Sequence, residues 1–255
     1  MDFVVSLFNE TFFRPLLNAL VFLTGVLPFH DLGFAVIILT ILVRLALFPF
    51  THHSVKAQTK MRVLEPEIAQ IRETHKNNQE EQARRIMALY KQHGVNPFSG
   101  CLMLLIQLPL LIALYQVFLV KVQDMGQYLY LFIQMPPVIH TVFLGFINLM
   151  EMSIFVAVLA ALTQFIQMKL AVPKTASVPA SSIGPDFARM MTMQMTYVMP
   201  VIILVIGMQF SSAVSLYWTT MNIFAIIHEM MVRKKAERLQ TLHGSGTATI
   251  NSASS

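Results

Sequence analysis

Arg44 is the residue whose position most clearly requires a chemical explanation. It lies in an apolar segment, residues 32–50, that contains no other charge. If this segment crosses a membrane, a charge at that depth costs about 2.5 to 3.5 kcal/mol on insertion scales. Three arrangements would compensate: an ion pair with Glu229, snorkelling of the side chain to the nearer surface, or a water-filled cavity between helices. The cavity is favoured because the central parts of the other apolar segments contain no Asp or Glu.

Polar side chains on the other apolar segments favour the cavity as well. Thr40 lies one helical turn before Arg44, so both face the same side of a helix. Taken singly, such residues usually form hydrogen bonds between helices, and Tyr217 and Trp218 could serve as interfacial anchors instead of closing one end of a groove. The candidate groove residues are Arg44, Thr40, Gln107, Gln164, Gln194, Tyr217, Trp218 and Asn222.

Sequence signatures of catalysis are weak. His228 and Glu229 begin like the zinc-protease pattern HExxH, but Val232 stands where the second histidine ligand would be. His52 and His53 are adjacent, which points them apart on a helix and favours a place at a membrane boundary over a metal site. We therefore expect a protein that is not an enzyme, with no catalytic residue, metal or cofactor.

Composition indicates that the bilayer is the solvent of this chain. Hydrophobic residues make up 55% of the 255 positions and charged residues only 12%. A helix crosses the membrane with about 20 mostly apolar residues. The apolar run from Met190 to Val232 is too long for one span, and its polar break at residues 209–212 divides it in two. The predicted spans are residues 32–50, 100–120, 152–170, 194–208 and 212–232.

The distribution of Lys and Arg gives the orientation. Five spans place all but three of the 18 basic residues on one side, and the exceptions are Arg14, Lys121 and the intramembrane Arg44. The positive-inside rule makes that side cytoplasmic, with the N-terminus outside. Because the basic residues flank the spans, membrane topology explains the net charge of +5 better than nucleic-acid binding does. Residues 171–193 then form a cytoplasmic loop, and the basic tail, residues 233–255, is cytoplasmic and mostly disordered.

The remaining segments complete an all-α fold. Residues 51–99 form a cytoplasmic helical hairpin: Met61, Leu64, Ile68 and Ile71 make one apolar stripe, with a matching stripe on a second helix. Residues 1–31 and 121–151 are outer segments. The apolar stretch of the first segment is too short to cross the membrane, and that of the second is divided by Pro136 and Pro137. We therefore expect both to form amphipathic helices on the outer surface.

Three blocks of the sequence resemble the YidC insertases, whose relatives serve mitochondria and chloroplasts. In residues 39–73 the intramembrane Arg is followed by Lys-Met-Arg and Leu-x-Pro elements. Residues 87–118 contain Leu-Tyr-Lys, Asn-Pro, Gly-Cys and Ile-Gln-x-Pro in the family's order, and residues 197–229 match its paired-span block. The order of these blocks and their placement on independently derived spans make the match specific.

The resemblance implies a membrane protein insertase of a bacterial-type plasma membrane. Five helices would enclose a hydrophilic groove open to the cytoplasm and lipid, in which Arg44 attracts polar or acidic parts of an incoming chain and Thr40, Gln107 and Trp218 line the wall. The implied partners are nascent membrane proteins, the lipid bilayer and, for the hairpin and basic tail, the ribosome or Sec translocon; no sequence-specific nucleic-acid binding is implied. The hairpin residues of the matched block are Lys60, Arg62, Glu65, Pro66 and Arg72.

Two other functions compete with this one. A transporter or channel would also place polar groups along several spans, but its pathway should open by turns to both sides, whereas the polar residues here cluster toward the cytoplasmic half. A purely structural scaffold gives no reason for an unpaired intramembrane Arg.

Overall fold

The computed structural model describes the backbone of residues 2–96, 99–171 and 193–252, and the side chains of residues 3–96, 107–171 and 193–234. Helices make up most of these ranges, which confirms the prediction of a predominantly α-helical protein. Most of the predicted loop, residues 171–193, lies outside the described residues, as does the side chain of Cys101.

The N-terminal segment is helical over most of its length. Helix α1 (Asp2–Phe8) continues through a π-helical turn (Asn9–Phe13) into α2 (Arg14–Val26). One face of α2 is buried, because Leu16, Leu17 and Leu20 pack against α3 (Leu32–Ala46) and α7 (Ser99–Leu119). The helix expected within residues 1–31 is therefore present, and its buried face is part of the main core.

Helix α3 has a capped start and ends at a sharp turn. Asp31 caps the start of this helix, its carboxylate accepting hydrogen bonds from the backbone N–H groups of Gly33 and Phe34 at 2.7 and 3.2 Å. Helix α4 (Phe48–Val63) follows after one residue, and the two axes differ by 70°. Pro49 explains why α3 ends at Ala46, short of the predicted boundary at Phe50, because proline cannot donate to the carbonyl four residues earlier.

Helices α4, α5 (Glu65–Thr74) and α6 (Gln79–Gln92) build the predicted hairpin segment. The turn between α5 and α6 falls within residues 75–78, and Asn78 accepts the backbone N–H of Glu81 at 3.0 Å, as an N-cap does. The apolar stripes meet in a small core of their own, in which Ile86 is buried and Met87 is exposed. Its members are Leu64, Ile68, Ile86, Leu89, Tyr90 and Val95, with Met61 and Ile71 at the edge.

The segment after α7 corrects one expectation. Only a 3-10 helix (Val122–Tyr128) forms there, and the chain continues irregularly to a β-hairpin of β1 (Val142–Phe143) and β2 (Ile147–Asn148). Pro136 and Pro137 remove backbone donors, which explains why a helix does not continue through them. At the turn, Leu144 and Gly145 adopt left-handed backbone with φ of 55° and 80°.

The irregular segment ties the starts of two helices together. The backbone N–H of Leu32, at the start of α3, donates to the carbonyl of His140 at 3.0 Å. At its other end, the N–H groups of Ser212 and Ala213 donate to the carbonyls of Glu151 and Leu149 at 2.7 and 3.1 Å. These bonds satisfy N–H groups that a helix start leaves unpaired.

The last helices pack closely. Helix α8 (Ile154–Ala171) lies against α9 (Met199–Gly207), which a π-helical turn (Gln194–Val198) precedes, and against α10 (Ser212–Ser252). The break between α9 and α10 is at the polar stretch where two spans were predicted to separate. Helix α10 extends beyond Val232, the expected end of the last span. The disorder expected of the tail, residues 233–255, stays a prediction.

Some of the described helices are long and apolar enough to cross a membrane. Ile154–Ala171 could cross a bilayer alone, and Leu32–Ala46 and Phe48–Val63 are long and apolar enough only when taken together as one bent span. Gln107–Leu119 and Gln194–Gly207 are apolar but shorter. Many large apolar side chains of α3, α8 and α9 point outward, including Leu42, Phe155 and Val201, as they do on a surface that contacts lipid.

Candidate functional site

Arg44 is buried on the last turn of α3, with 6% of its surface exposed. Its guanidinium interacts electrostatically with Tyr217 of α10. Among the described residues, no carboxylate forms an ion pair with Arg44. Glu229, the partner considered from the sequence, pairs with Arg233 of its own helix at 3.6 Å instead. The burial also argues against snorkelling, which would place the guanidinium in solvent.

Thr40 is buried one turn before Arg44, as the spacing predicted. Its hydroxyl donates to the carbonyl of Val36 at 2.6 Å, so the donor is used within the helix. Thr40 can therefore offer a groove only acceptor capacity of its oxygen and its methyl group.

Tyr217 and Trp218 connect α10 to two different helices. Gln107 of α7 donates through Nε2 to the Tyr217 hydroxyl at 2.6 Å. Trp218 donates through Nε1 to Oε1 of the buried Gln164 of α8 at 2.8 Å. Tyr217 is also the electrostatic neighbour of Arg44, so this polar cluster draws on four helices, with hydrogen bonds at the Gln107–Tyr217 and Trp218–Gln164 contacts. This arrangement differs from interfacial anchoring, in which the two rings would point outward.

Asn222 takes part in a second contact between α8 and α10. Its side chain is buried and its Nδ2 donates to the carbonyl of Ala160 and to the hydroxyl of Thr163, at 3.4 and 3.3 Å. Thr163 in turn donates to the carbonyls of Leu159 and Ala160. Asn222 therefore joins two helices, and its described contacts do not include Arg44.

The structure does not bring every predicted residue to this cluster. Gln194 is exposed in the π-helical turn before α9. In the hairpin segment, Lys60 and Pro66 are exposed, whereas Arg62, Glu65 and Arg72 are half-buried. These five lie on α4 and α5, separate from Arg44 on α3.

Sequence reasoning missed a cluster of rings on α4 and α10. Phe48 and His52 contact His228 with ring-centroid separations of 4.7 and 5.5 Å, and the two imidazoles share a hydrogen bond. The only available signal was the i, i+4 spacing of Phe48 and His52, which puts both rings on one helix face. Within the described ranges, no group of three or more His, Cys, Asp or Glu residues could hold a metal ion.

The arrangement can attract a polar or anionic group to a cation held away from bulk solvent. A bundle with apolar outward faces and a buried, hydrogen-bonded polar cluster defines a helical membrane protein. The particular family follows from the sequence: the chain belongs to the 60Kd inner membrane protein family, whose sequence model matches residues 23–239. It is accordingly a protein of the inner or plasma membrane.

Curated relatives carry names that specify an activity. The chain is 28% identical over 232 residues to "Membrane protein insertase YidC 2" of Bacillus anthracis, covering 89% of this chain and 82% of that protein. It is 30% identical over 226 residues to "Membrane protein insertase YidC" of Geotalea uraniireducens (strain Rf4), covering 87% of this chain but 37% of the relative. For the protein of that name from Haemophilus ducreyi (strain 35000HP / ATCC 700724), the identity is 28% over 228 residues, with 88% and 37% covered. The chain thus spans most of the first relative and little more than a third of the other two.

Proposed function

We propose that this protein is a membrane protein insertase whose working site is a hydrophilic groove around Arg44. The observation that carries the proposal is a buried guanidinium without a carboxylate partner among the described residues. Membership of the family and the insertase names of the relatives support the activity. The client is an apolar segment of a nascent membrane protein, joined to a polar segment that must pass the bilayer.

The groove lowers the barrier for that polar segment in two ways. Water and polar side chains around Arg44, Gln107 and Tyr217 shorten the hydrocarbon distance that the segment crosses. In addition, a carboxylate about 4 Å from the guanidinium is attracted by about 4 kcal/mol at an effective dielectric constant near 20, against about 1 kcal/mol in water. This attraction exceeds the thermal energy, yet it is small enough for the segment to leave again.

Release of the client requires no separate energy source. Once the polar segment has passed, the apolar segment moves sideways from the groove into lipid, where burial of apolar surface contributes about 25 cal/mol per Å². The exposed apolar faces of α3 and α9 leave such a side open to lipid.

The topology belongs to the proposal. Five spans, an outside N-terminus and a cytoplasmic C-terminus place the hairpin of α5 and α6 and the basic tail in the cytoplasm. There Lys60, Arg62, Glu65, Pro66 and Arg72 form a surface that receives clients from the ribosome or the Sec translocon. Cysteines placed at Asn78 and Asn148 should be labelled from opposite sides of the membrane, and labelling of Asn148 from the cytoplasm would overturn this topology.

Reconstituted insertion of a single-span client tests the groove. The client is made with an acidic and with a neutral translocated tail, and wild type is compared with Arg44→Ala and Arg44→Lys. Arg44→Ala should slow the acidic client more than the neutral one, whereas Arg44→Lys should retain much of the activity because the charge remains. Arg84→Ala, which removes an exposed cation of the hairpin, is the matched control.

Equal activity of wild type and Arg44→Ala on both clients would refute the electrostatic role. The same proteoliposomes distinguish an insertase from a transporter or channel. An insertase gives protease-protected client with no steady ion flux, whereas flux without protected client would support the alternative.

A further inference from the structure

Three rings from two distant parts of the chain stack where α4 meets α10. Phe48 and His52 lie 5.5 Å apart on one face of α4, and His228 of α10 packs against both. His52 Nδ1 and His228 Nε2 are 3.2 Å apart, and the two imidazole planes differ by 21°. His228 is buried, with 4% of its surface exposed. The pair is thus a specific contact between the first helix of the hairpin segment and the last helix.

A hydrogen bond between two imidazoles depends on their protonation. A neutral ring has one donor nitrogen and one acceptor nitrogen, so a neutral pair can share one N–H···N bond. When both rings are protonated, each facing nitrogen is a donor, the bond is lost and two cations lie side by side. The contact between α4 and α10 is therefore compatible with zero or one proton beyond the neutral pair, but not with two.

The charged groups around the pair do not stabilise two imidazolium ions. Arg44 of α3 acts electrostatically on His228 and adds a third positive charge. Glu229, next to His228 on α10, is paired with Arg233 at 3.6 Å. On α8 the described cation Lys169 lies over the ring of Phe165, and the sequences of α7 and α9 contain no charged residue.

We propose that His52 and His228 form a proton-operated latch that holds α4 against α10 when the pair is neutral and releases it when both rings are protonated. Helix α4 leads directly into α5 and α6, so release frees the base of the hairpin segment from the last helix, next to Arg44. The latch is a property of the helix packing, and its test does not depend on the insertase activity.

The size of the effect follows from proton linkage. A released pair that holds one proton more than the latched pair raises the ratio of released to latched protein by up to about tenfold for each pH unit of acidification. Paired spin labels at the exposed Lys60 and Lys234 in a Cys101→Ser chain report the separation of α4 and α10 in lipid nanodiscs. The pulsed-resonance distance distribution should gain a longer component at pH 5.

Two ring-preserving variants and one control decide the matter. His228→Phe and His52→Phe each keep the stack but remove one titrating ring, so the short distance should persist at pH 5. His53→Phe changes an exposed neighbouring histidine outside the pair and should respond to acid as the wild type does. An unchanged wild-type distance at pH 5, or an acid response of both pair variants equal to that of wild type, overturns the latch. If one variant fails to fold, the other provides the comparison.

Discussion

Replacement of Gly207 by Ala should destabilise the junction of α8, α9 and α10. A Cβ atom at this position would lie 2.9 Å from Cβ of Ala157, 2.9 Å from Oγ of Ser215 and 3.2 Å from Cα of Ala157. Both neighbours are buried, and although the Ser215 hydroxyl can rotate, Cβ and Cα of Ala157 cannot, so the helices themselves would have to separate. Small residues allow this close approach, as is common between membrane helices.

The sign of the effect depends on two opposing contributions. Ala favours a helix over Gly by up to about 1 kcal/mol, and less here because Gly207 is the last residue of α9. Overpacking of a well-packed site costs about 1 to 3 kcal/mol. The steric cost is the larger, so we expect a net loss of about 1 to 2 kcal/mol in the free energy of unfolding, or about 5- to 30-fold in the equilibrium constant.

Unfolding of the purified protein in micelles, followed by circular dichroism during a denaturant titration, measures this loss. Gly126→Ala is the matched control, because a Cβ there would meet nothing within 4 Å. Adding Ala157→Gly to Gly207→Ala removes the closest carbon–carbon contact and should restore part of the stability. A Gly207→Ala protein as stable as the wild type would refute the steric clash at this position, as would an Ala157→Gly change that lowers the stability of both backgrounds equally.

Two further predictions concern hydrogen bonds. Trp218→Phe keeps an aromatic ring but leaves Oε1 of the buried Gln164 without its 2.8 Å donor, so the free energy of unfolding should fall by about 1 to 3 kcal/mol. In a Gln164→Leu background, Trp218→Phe should cost less, because the acceptor is already absent. Equal losses in the two backgrounds would contradict the pairing. Hydrogen bonds from Arg84 and Arg85 lower the pKa of Glu81 from 4.5 to about 2. A carboxyl pKa lowered by folding contributes stability above pH 4.5 that is lost as the pH falls toward 2. Glu81→Gln should therefore weaken helix α6 at neutral pH and remove the part of its acid sensitivity between those values, as measured by amide chemical shifts; an unchanged titration of α6 would exclude this role.

The sequence alone supplied the features that depend on neighbours along the chain. The periodicity of Leu64 and Ile68 gave the apolar stripe that packs against α6, and the polar stretch after Met208 marked the break between α9 and α10. The absence of acidic residues from the central parts of the spans predicted that Arg44 would lack a carboxylate partner. Such features are local because side-chain spacing on a helix repeats every few residues.

The surface helix predicted after α7 was wrong, because an apolar composition alone does not make a helix where proline removes backbone donors. Its residues are apolar enough for a surface helix, but Pro136 and Pro137 interrupt it, and Leu144 and Gly145 turn the chain into a β-hairpin. The backbone groups released from a helix are bonded instead to the starts of α3 and α10. Those partners are remote in sequence, so no local pattern indicates them.

Only the tertiary structure decided which polar residues meet. Tyr217 and Gln107 are 110 positions apart, and His52 and His228 are 176 positions apart. Nothing in their local sequence distinguishes them from Gln194, which remains exposed. The composition and spacing of a membrane chain determine where its helices form, because each backbone hydrogen bond within a helix is local. The pairing of polar side chains depends on how those helices rotate and cross, which the packing of all of them together determines.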